Sequence, residues 1–421
     1  MLNAAIVGIG GWGKVLVSAV QGKSDKLRFV AGATGRRAFA EEFAGQAGFR
    51  LHDSYAEVLA DPAVEAVVLA TPHLDHEAQM IAAARAGKHV FVEKPFTLDA
   101  AGAARALDAI ERAGVTVALG HNRRFHPNMA ELRARIRDGR LGVIAHIEAT
   151  MTGPSGLFMS PDHWRAEPAQ SPIGGMAPQG IHMLDGLIDL NGRVADVICQ
   201  TTHRAAPSGV PDTTGILLRF ETGATGYLSC LISTAASYRM CVYGSKGIAE
   251  ITGPGLDHFT FRAVPAAPGA PAPAPEVLHH PGFATPAAEL EAFADAVAGR
   301  APYPITPDQM LHGVAVYEAM IASAPDRSFV AVQGGAVWHL WRWRSSWWPG
   351  HCWPRRHQST RHWPGKSAIR WWRPSSAFWW ERWCWARSGR FAARPCPPAA
   401  WRARRLGSGS VGRWGRFMWA R

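Results

Sequence analysis

The run Gly8-Ile9-Gly10-Gly11-Trp12-Gly13 constrains this chain more than any other feature, because it stands directly between an apolar strand-like segment and a helix-like one. The strand is AAIVGI, beginning at Ala4, and the helix runs from about Gly13 to Gln21. At such a turn the pattern G-x-G-x-x-G has a physical reading. Gly8 permits the tight turn, Gly10 lets backbone N–H groups approach a pyrophosphate, and Gly13 allows close helix–strand contact. The phosphates would lie at the positive end of the helix. The segment LRFVAGAT completes a βαβ unit of the dinucleotide-binding kind.

The alternation continues. A helix is expected around Arg37–Gly45, a strand in AVEAVVLAT, a helix over His76–Ala86, a strand in KHVFVE, a helix over Asp99–Ala113 and a strand in VTVALG. Runs this apolar suit parallel strands covered on both faces. Beyond Pro127 one basic helix (Met129–Arg137) precedes long strand-like runs: GVIAHIEATMT, ADVICQTTH, TTGILLRFETGATGYLSCLI and YRMCVYGSKGIAEIT. Consecutive strands predict an antiparallel sheet. A turn and helix within Pro172–Asn191 interrupt them, and helices around Pro286–Ala298 and Pro307–Ala324 close the series. The Pro/Ala run over 264–277 reads as an exposed linker. The predicted class is α/β: an N-terminal doubly wound Rossmann domain over 1–122, then an α+β domain on a mostly antiparallel open sheet over 123–332.

Charge separates a third segment, 333–421. Beyond Gly334 lie 18 Lys/Arg, one acid (Glu381) and 16 of the 18 Trp, so residues 1–333 carry a formal charge of −5 within the whole chain's +12. The enzyme-like body thus lacks the basic bias of a nucleic-acid binder. Arg/Trp interleaving in the tail has the chemistry to bind single-stranded nucleic acid or an anionic membrane. The tail has neither helical nor strand period, and its residues are those of GC-rich codons, as translation of a shifted frame or read-through would give. Disorder is expected there, with no nucleic-acid or membrane partner. The six cysteines form no CxxC pair and no zinc spacing, so reduced cytoplasmic thiols and no metal are expected. The apolar start lacks a basic leader and is broken by glycines and Lys14, unlike a signal peptide or membrane span.

The end of the second strand is where an acid would bind the ribose hydroxyls of NAD. Here it reads Ala33-Thr34-Gly35-Arg36-Arg37. Two guanidiniums in place of an acid favour a 2′-phosphate, hence NADP over NAD, unless both are solvated charges at a helix start. Thr71 and Pro72 follow the next strand, with His76 opening a helix, and Glu93-Lys94-Pro95 follows the one after. Carboxyl ends of parallel strands are where open α/β sheets bind ligands, which singles out Lys94.

With these pieces the chain, over about residues 4–332, resembles the glucose–fructose oxidoreductase and inositol dehydrogenase-like (Gfo/Idh/MocA) family. The matching runs are GIGGWG, ATPHLDHEAQMIAAARAGKHVFVEKPF, LGHNRRFHP, HWRAEP, GGMAPQGIHMLD and ELEAFADAVAGRAPYPITPDQ. The resemblance implies that Lys94 contacts the reacting oxygen and that His182 exchanges its proton. It also implies that Asn122, Arg123, Trp164 and Arg165 line the cofactor and substrate cleft, with Asp185 as a helix-surface or orienting acid beside the substrate. One position departs: where the family has an acid or Asn four residues before the histidine, this chain has Pro178. Gln179 can replace only a hydrogen bond there.

The chemistry is coherent. Hydride transfer at a carbinol carbon requires a proton to leave or join the oxygen, which an imidazole can manage, and an ammonium stabilises alkoxide-like charge. The expected function is an NAD(P)-dependent oxidoreductase acting on a sugar, polyol or other cyclic alcohol or carbonyl compound, assembling as a dimer or tetramer. The alternative, raised by Pro178, is a non-catalytic dinucleotide-binding regulator on the same fold.

Overall fold

The computed structural model describes residues 1–333. The Trp/Arg-rich segment, with the disorder expected for it, lies outside the described residues.

Six parallel strands form the first sheet, in the order β3-β2-β1-β4-β5-β6. In chain order the elements are β1 (Leu2–Val7), α1 (Gly11–Val20), β2 (Leu27–Ala33), α2 (Glu41–Ala47), β3 (Arg50–Leu51), α3 (Tyr55–Ala60), β4 (Ala66–Leu69), α4 (His76–Arg85), β5 (His89–Glu93), α5 (Ala100–Ala113) and β6 (Val117–Gly120). The strand order reverses between β1 and β4, so their carboxyl ends part and leave the crevice in which such sheets bind ligands. Every residue of β4 and β6 is buried, as expected of strands covered on both faces. The second helix is expected from Arg37. A single 3-10 turn occupies Arg37–Phe39 instead, and α2 begins only at Glu41.

A nine-stranded second sheet follows, in the order β14-β13-β12-β11-β7-β10-β9-β8-β15. Its elements are α6 (Pro127–Arg137), β7 (Ile144–Thr152), α7 (Ile181–Asn191), β8 (Val194–Thr202), β9 (Thr213–Phe220), β10 (Thr225–Leu231), β11 (Ser237–Gly244), β12 (Gly247–Thr252), β13 (His258–Ala263), β14 (Glu276–His279), α8 (Thr285–Val297), α9 (Pro307–Ser323) and β15 (Val330–Ala331). All neighbours are antiparallel except β7 and β10, which run parallel from His146↔Thr225 to Thr152↔Leu231. The two long apolar runs each fold as a hairpin: β9 pairs with β10, and β11 with β12. The Pro/Ala run is exposed as expected, but it joins paired strands, β13 and β14, rather than separate units.

Two hydrophobic cores result, one under each sheet. They do not follow the chain in simple succession. Leu290, Phe293 and Ala294 of α8 belong to the first core, with Phe293 set 5.9 Å from Phe91 of β5. The longest helix, α9, bridges both, since Met310 and Val314 enter the first core while Val316, Tyr317 and Met320 enter the second. Among the described residues no helix is long and apolar enough to cross a membrane.

Candidate active site

The glycine turn is built by contact. Gly8 has φ +91°, and a Cβ there would lie 2.4 Å from the carbonyl oxygen of Ala70 beyond β4. At Gly13 a Cβ would lie 2.1 Å from the Gly8 oxygen, so helix and turn touch through the missing side chain. Gly10 and Gly11 differ: nothing lies within 4 Å of a Cβ at either, and no side chain caps the start of α1. An open space therefore stands over unbonded helix N–H groups, and it fits a dinucleotide pyrophosphate. Trp12 donates from Nε1 to Glu93 Oε1 at 2.5 Å, tying this turn to the end of β5.

Past β2, Thr34 is half-buried and Arg36 is exposed. Arg37 is less available than its sequence position suggests. Its guanidinium pairs with Glu41 at 3.0 Å and Asp53 at 2.5 Å and donates to the Leu51 carbonyl. Asp53 lies 16 residues away, so the pairing has no local signature.

Thr71 and Pro72 are half-buried just beyond β4, with the Thr71 hydroxyl donating to Gln79 Oε1 at 2.6 Å. His76 is not a cleft residue. It is fully buried, with Nδ1 2.8 Å from the Pro95 oxygen and Nε2 3.1 Å from the Thr71 oxygen. It pins together the two loops that follow β4 and β5, so its expected contact with a cofactor is replaced by a structural one.

Lys94 comes from the end of β5, and its Nζ donates to the carbonyl oxygen of Pro178 at 2.7 Å. Pro178 thus offers Lys94 an oxygen from the backbone. Only one of three ammonium donors is spent. Burial lowers the proton affinity of Lys94, opposed by neighbouring Glu93 and reinforced by Arg165 and Arg123. Burial raises that of Glu93, whose oxygens also accept from Trp12 and from the Lys94 backbone N–H. Gln179 does not act as a substitute acid: its amide donates to Met151 and Leu231 oxygens at 3.0 and 3.2 Å, closing the ends of β7 and β10.

His182 lies in the first turn of α7, four residues beyond Pro178. Its Nδ1 is buried without a partner, and its ring meets that of His121 edge-on at 5.6 Å. Burial first, then the charges of Lys94, His121 and Arg123, hold His182 well below the usual imidazole range. His121, absent from the sequence-based site, is pushed down to about 4, mainly by burial. Both rings are neutral at neutral pH, and a neutral imidazole can accept a proton.

Asp185 is not a helix-surface acid. It is 8% exposed and bound by Arg124, with Nη2 2.5 Å from Oδ1 and Nε 3.0 Å from Oδ2. Arg124 also reaches Asp189 at 3.3 Å, which Arg133 holds from the other side at 2.6 Å. Asp185 therefore fixes α7, and so His182, against the Asn122–Phe125 turn. Asn122 donates to the Thr285 hydroxyl at 2.9 Å, anchoring that turn to α8.

From the second sheet's side, Trp164 and Arg165 occupy a short turn docked on the first sheet's loops. The Trp164 ring stands 4.9 Å from His73, whose Nδ1 lies 2.7 Å from the Gln170 oxygen, and the Arg165 guanidinium stacks on Trp164 at 4.3 Å. Sequence reasoning did not include His73, His121 or the buried Glu289. Their only signal is inclusion in the matching family runs.

Comparison with known proteins agrees with this architecture. The family model described as an oxidoreductase family with an NAD-binding Rossmann fold matches residues 2–121, and the model of the GFO/IDH/MocA C-terminal domain matches 129–250. Trans-1,2-dihydrobenzene-1,2-diol dehydrogenase of Bos taurus is 29% identical over 216 residues, 51% of this chain and 63% of that protein. Inositol 2-dehydrogenase of Rhizobium meliloti (strain 1021) is 38% identical over 151 residues, 36% of this chain and 45% of that protein. The chain thus spans about half to under two thirds of the length of these two relatives. Among solved structures, levoglucosan dehydrogenase in complex with NADH and levoglucosan shares the fold, with a TM-score of 0.72 and 20% identity over 79% of this chain and all of that one. Aldose-aldose oxidoreductase from Caulobacter crescentus, complexed with glycerol, gives a TM-score of 0.68 at 25% identity, covering 78% of this chain and 99% of that one. Two domain models of one family account in order for the parallel sheet and most of the antiparallel one, and the chain belongs to the GFO/IDH/MocA oxidoreductase family.

Proposed function

We propose that this protein is an NAD(P)-dependent oxidoreductase that moves a hydride between nicotinamide and a sugar, polyol or other cyclic alcohol or carbonyl compound. The observation that carries the reading is the bond by which Lys94 reaches the start of the segment bearing His182. Lys94, from the first sheet, bonds to the backbone four residues before His182, from the second, at the cleft that the glycine turn opens onto. The bound nicotinamide would supply the hydride chemistry. Gly10, Gly11 and the start of α1 would hold the pyrophosphate, with Thr34 and Arg36 at the adenosine ribose and Thr71, Pro72, Trp164 and Arg165 beside the remainder.

In the oxidising direction, His182 takes the proton of the substrate hydroxyl as the carbinol hydride departs. The Lys94 ammonium stabilises the negative charge developing on that oxygen. In the reverse direction His182 returns the proton. Asp185 and Arg124 keep the imidazole in place, and burial favours its neutral form, which has a free nitrogen lone pair.

NADP is the preferred cofactor in this reading, and the preference rests on exposed Arg36, since Arg37 is spent on Glu41 and Asp53. Buried, unpaired Cys199, Cys230 and Cys241 support a reducing compartment such as the cytoplasm. Leu217 and Tyr227, exposed on neighbouring strands of the second sheet, support pairing with another copy. The test is turnover of a panel of sugars, cyclitols and cyclic diols with NAD and NADP. Tight cofactor binding with no turnover of any of them would instead favour a regulator.

A further inference from the structure

The site gathers three cations, of which Lys94 and Arg165 feel the charge of Glu93 while Arg123 has no carboxylate acting on it. Arg123 makes no ion pair among the described residues. Its one polar contact is a long 3.4 Å bond to the Pro254 oxygen, and its guanidinium lies 5.4 Å from the centre of the Tyr238 ring. Arg165 likewise has no carboxylate partner among the described residues, and its Nε is buried without an acceptor. Lys94 adds a third cation, bonded to a carbonyl rather than an acid.

None of the nearby carboxylates pairs with Arg123. Glu93 accepts from Trp12 and the Lys94 backbone, and Asp185 and Asp189 are bound by Arg124 and Arg133. Glu289 is fully buried with neither oxygen hydrogen-bonded, and burial, with Glu93 beside it, raises its proton affinity.

Backbone neighbours place Arg123 close to the Lys94–His182 site. It stands between His121, whose ring faces His182, and Arg124, which is bound to Asp185 one turn beyond His182. It reaches Tyr238, whose partner across β7 and β11 is Met151, and the Met151 carbonyl holds Gln179 beside the Lys94 acceptor. Arg165 lies on the opposite side, against Trp164 and the loops of the first sheet. A partly desolvated guanidinium without a counter-ion is costly, and its planar donor pair matches a carboxylate.

We propose that Arg123 binds a carboxylate on the substrate, making the substrate class cyclic hydroxy acids, such as hexuronates or cyclitol carboxylates, rather than neutral polyols. This inference rests on the oxidoreductase reading and narrows it. The lowering of proton affinity at both Lys94 and His182 by Arg123 agrees with a cation that faces both groups.

Two matched pairs test it with the full chain: D-glucose against D-glucuronate, and myo-inositol against quinate, each with NAD and NADP. Initial rates are read from reduced nicotinamide, and calorimetry measures binding of each probe to the enzyme with oxidised cofactor. At least one acid should exceed its neutral partner about tenfold or more in kcat/KM or affinity, the range of one charge-assisted bond. Arg123→Gln should bring that ratio toward one, and Arg123→Lys should restore part of it. Equal or better use of the neutral probes, an acid preference unchanged in Arg123→Gln, or binding of neither acid would overturn the assignment. Turnover of a neutral probe in those cases leaves the oxidoreductase reading standing. Failure to bind any reduced nicotinamide, measured separately by fluorescence, removes that reading and the assignment with it.

Discussion

Gly10 and Gly13 of the turn should respond differently to one added methyl group. At Gly10 the backbone is extended, with φ −84° and ψ −167°, which alanine adopts freely, and nothing lies within 4 Å of the new Cβ. Gly10→Ala should therefore leave stability within about 0.5 kcal/mol of wild type. The methyl would stand in the space assigned to the pyrophosphate and hold it off the start of α1. Losing one charge-assisted backbone bond costs about 1.5–3 kcal/mol, or roughly 10–100-fold in cofactor affinity. Gly13→Ala reverses the pattern, since its Cβ would come 2.1 Å from the Gly8 oxygen, a backbone atom that can yield only if helix and strand separate. Overpacking of this kind costs about 1–3 kcal/mol. Urea unfolding and fluorescence titration with NADPH and NADH on both variants give the comparison. Unchanged affinity in stable Gly10→Ala would refute the placement of the cofactor.

Three further outcomes follow from the same contacts. His182→Gln should lower kcat by about 10²–10⁴-fold while cofactor affinity stays near wild type, as loss of a proton acceptor requires. Arg124→Gln strands Asp185 in a buried setting, while Asp189 keeps Arg133, and should cost about 3–5 kcal/mol in urea unfolding. Glu289, raised by burial, binds its proton more tightly folded than unfolded. Its contribution to stability is therefore full below the ordinary carboxyl range and lost as pH rises through its elevated folded value. Glu289→Gln should raise the melting temperature, by more at mildly alkaline than at mildly acidic pH. An equal loss at both would show that the carboxyl is ionised and needed.

Much of the fold is legible in the sequence because its signals are local. The glycine turn, the apolar strands and the helices between them each declare themselves within a few residues, and the family runs fix their order. What stays hidden depends on distant partners. Asp185 reads as a surface acid until Arg124, 61 positions away, closes on it. Arg37 reads as a phosphate ligand until Asp53 takes it. His76 occupies a helix start, where a cleft role is natural, but two carbonyl groups from separate loops claim its ring. The two-residue strand β3 has no periodicity to detect, and α8 gives no local sign that it returns to the first core. Pro178 was readable as a lost acid but not as a carbonyl oxygen facing Lys94, because a backbone acceptor leaves no trace in residue type.

The most direct measurement is the appearance of reduced nicotinamide when the full chain is given NAD or NADP with cyclic alcohols and hydroxy acids, run beside Lys94→Met at equal cofactor saturation. The structure predicts turnover by the wild type with at least one substrate and near-complete loss in Lys94→Met, with the fold intact. Turnover that survives the loss of Lys94, or cofactor binding with no turnover of any substrate, would contradict the account.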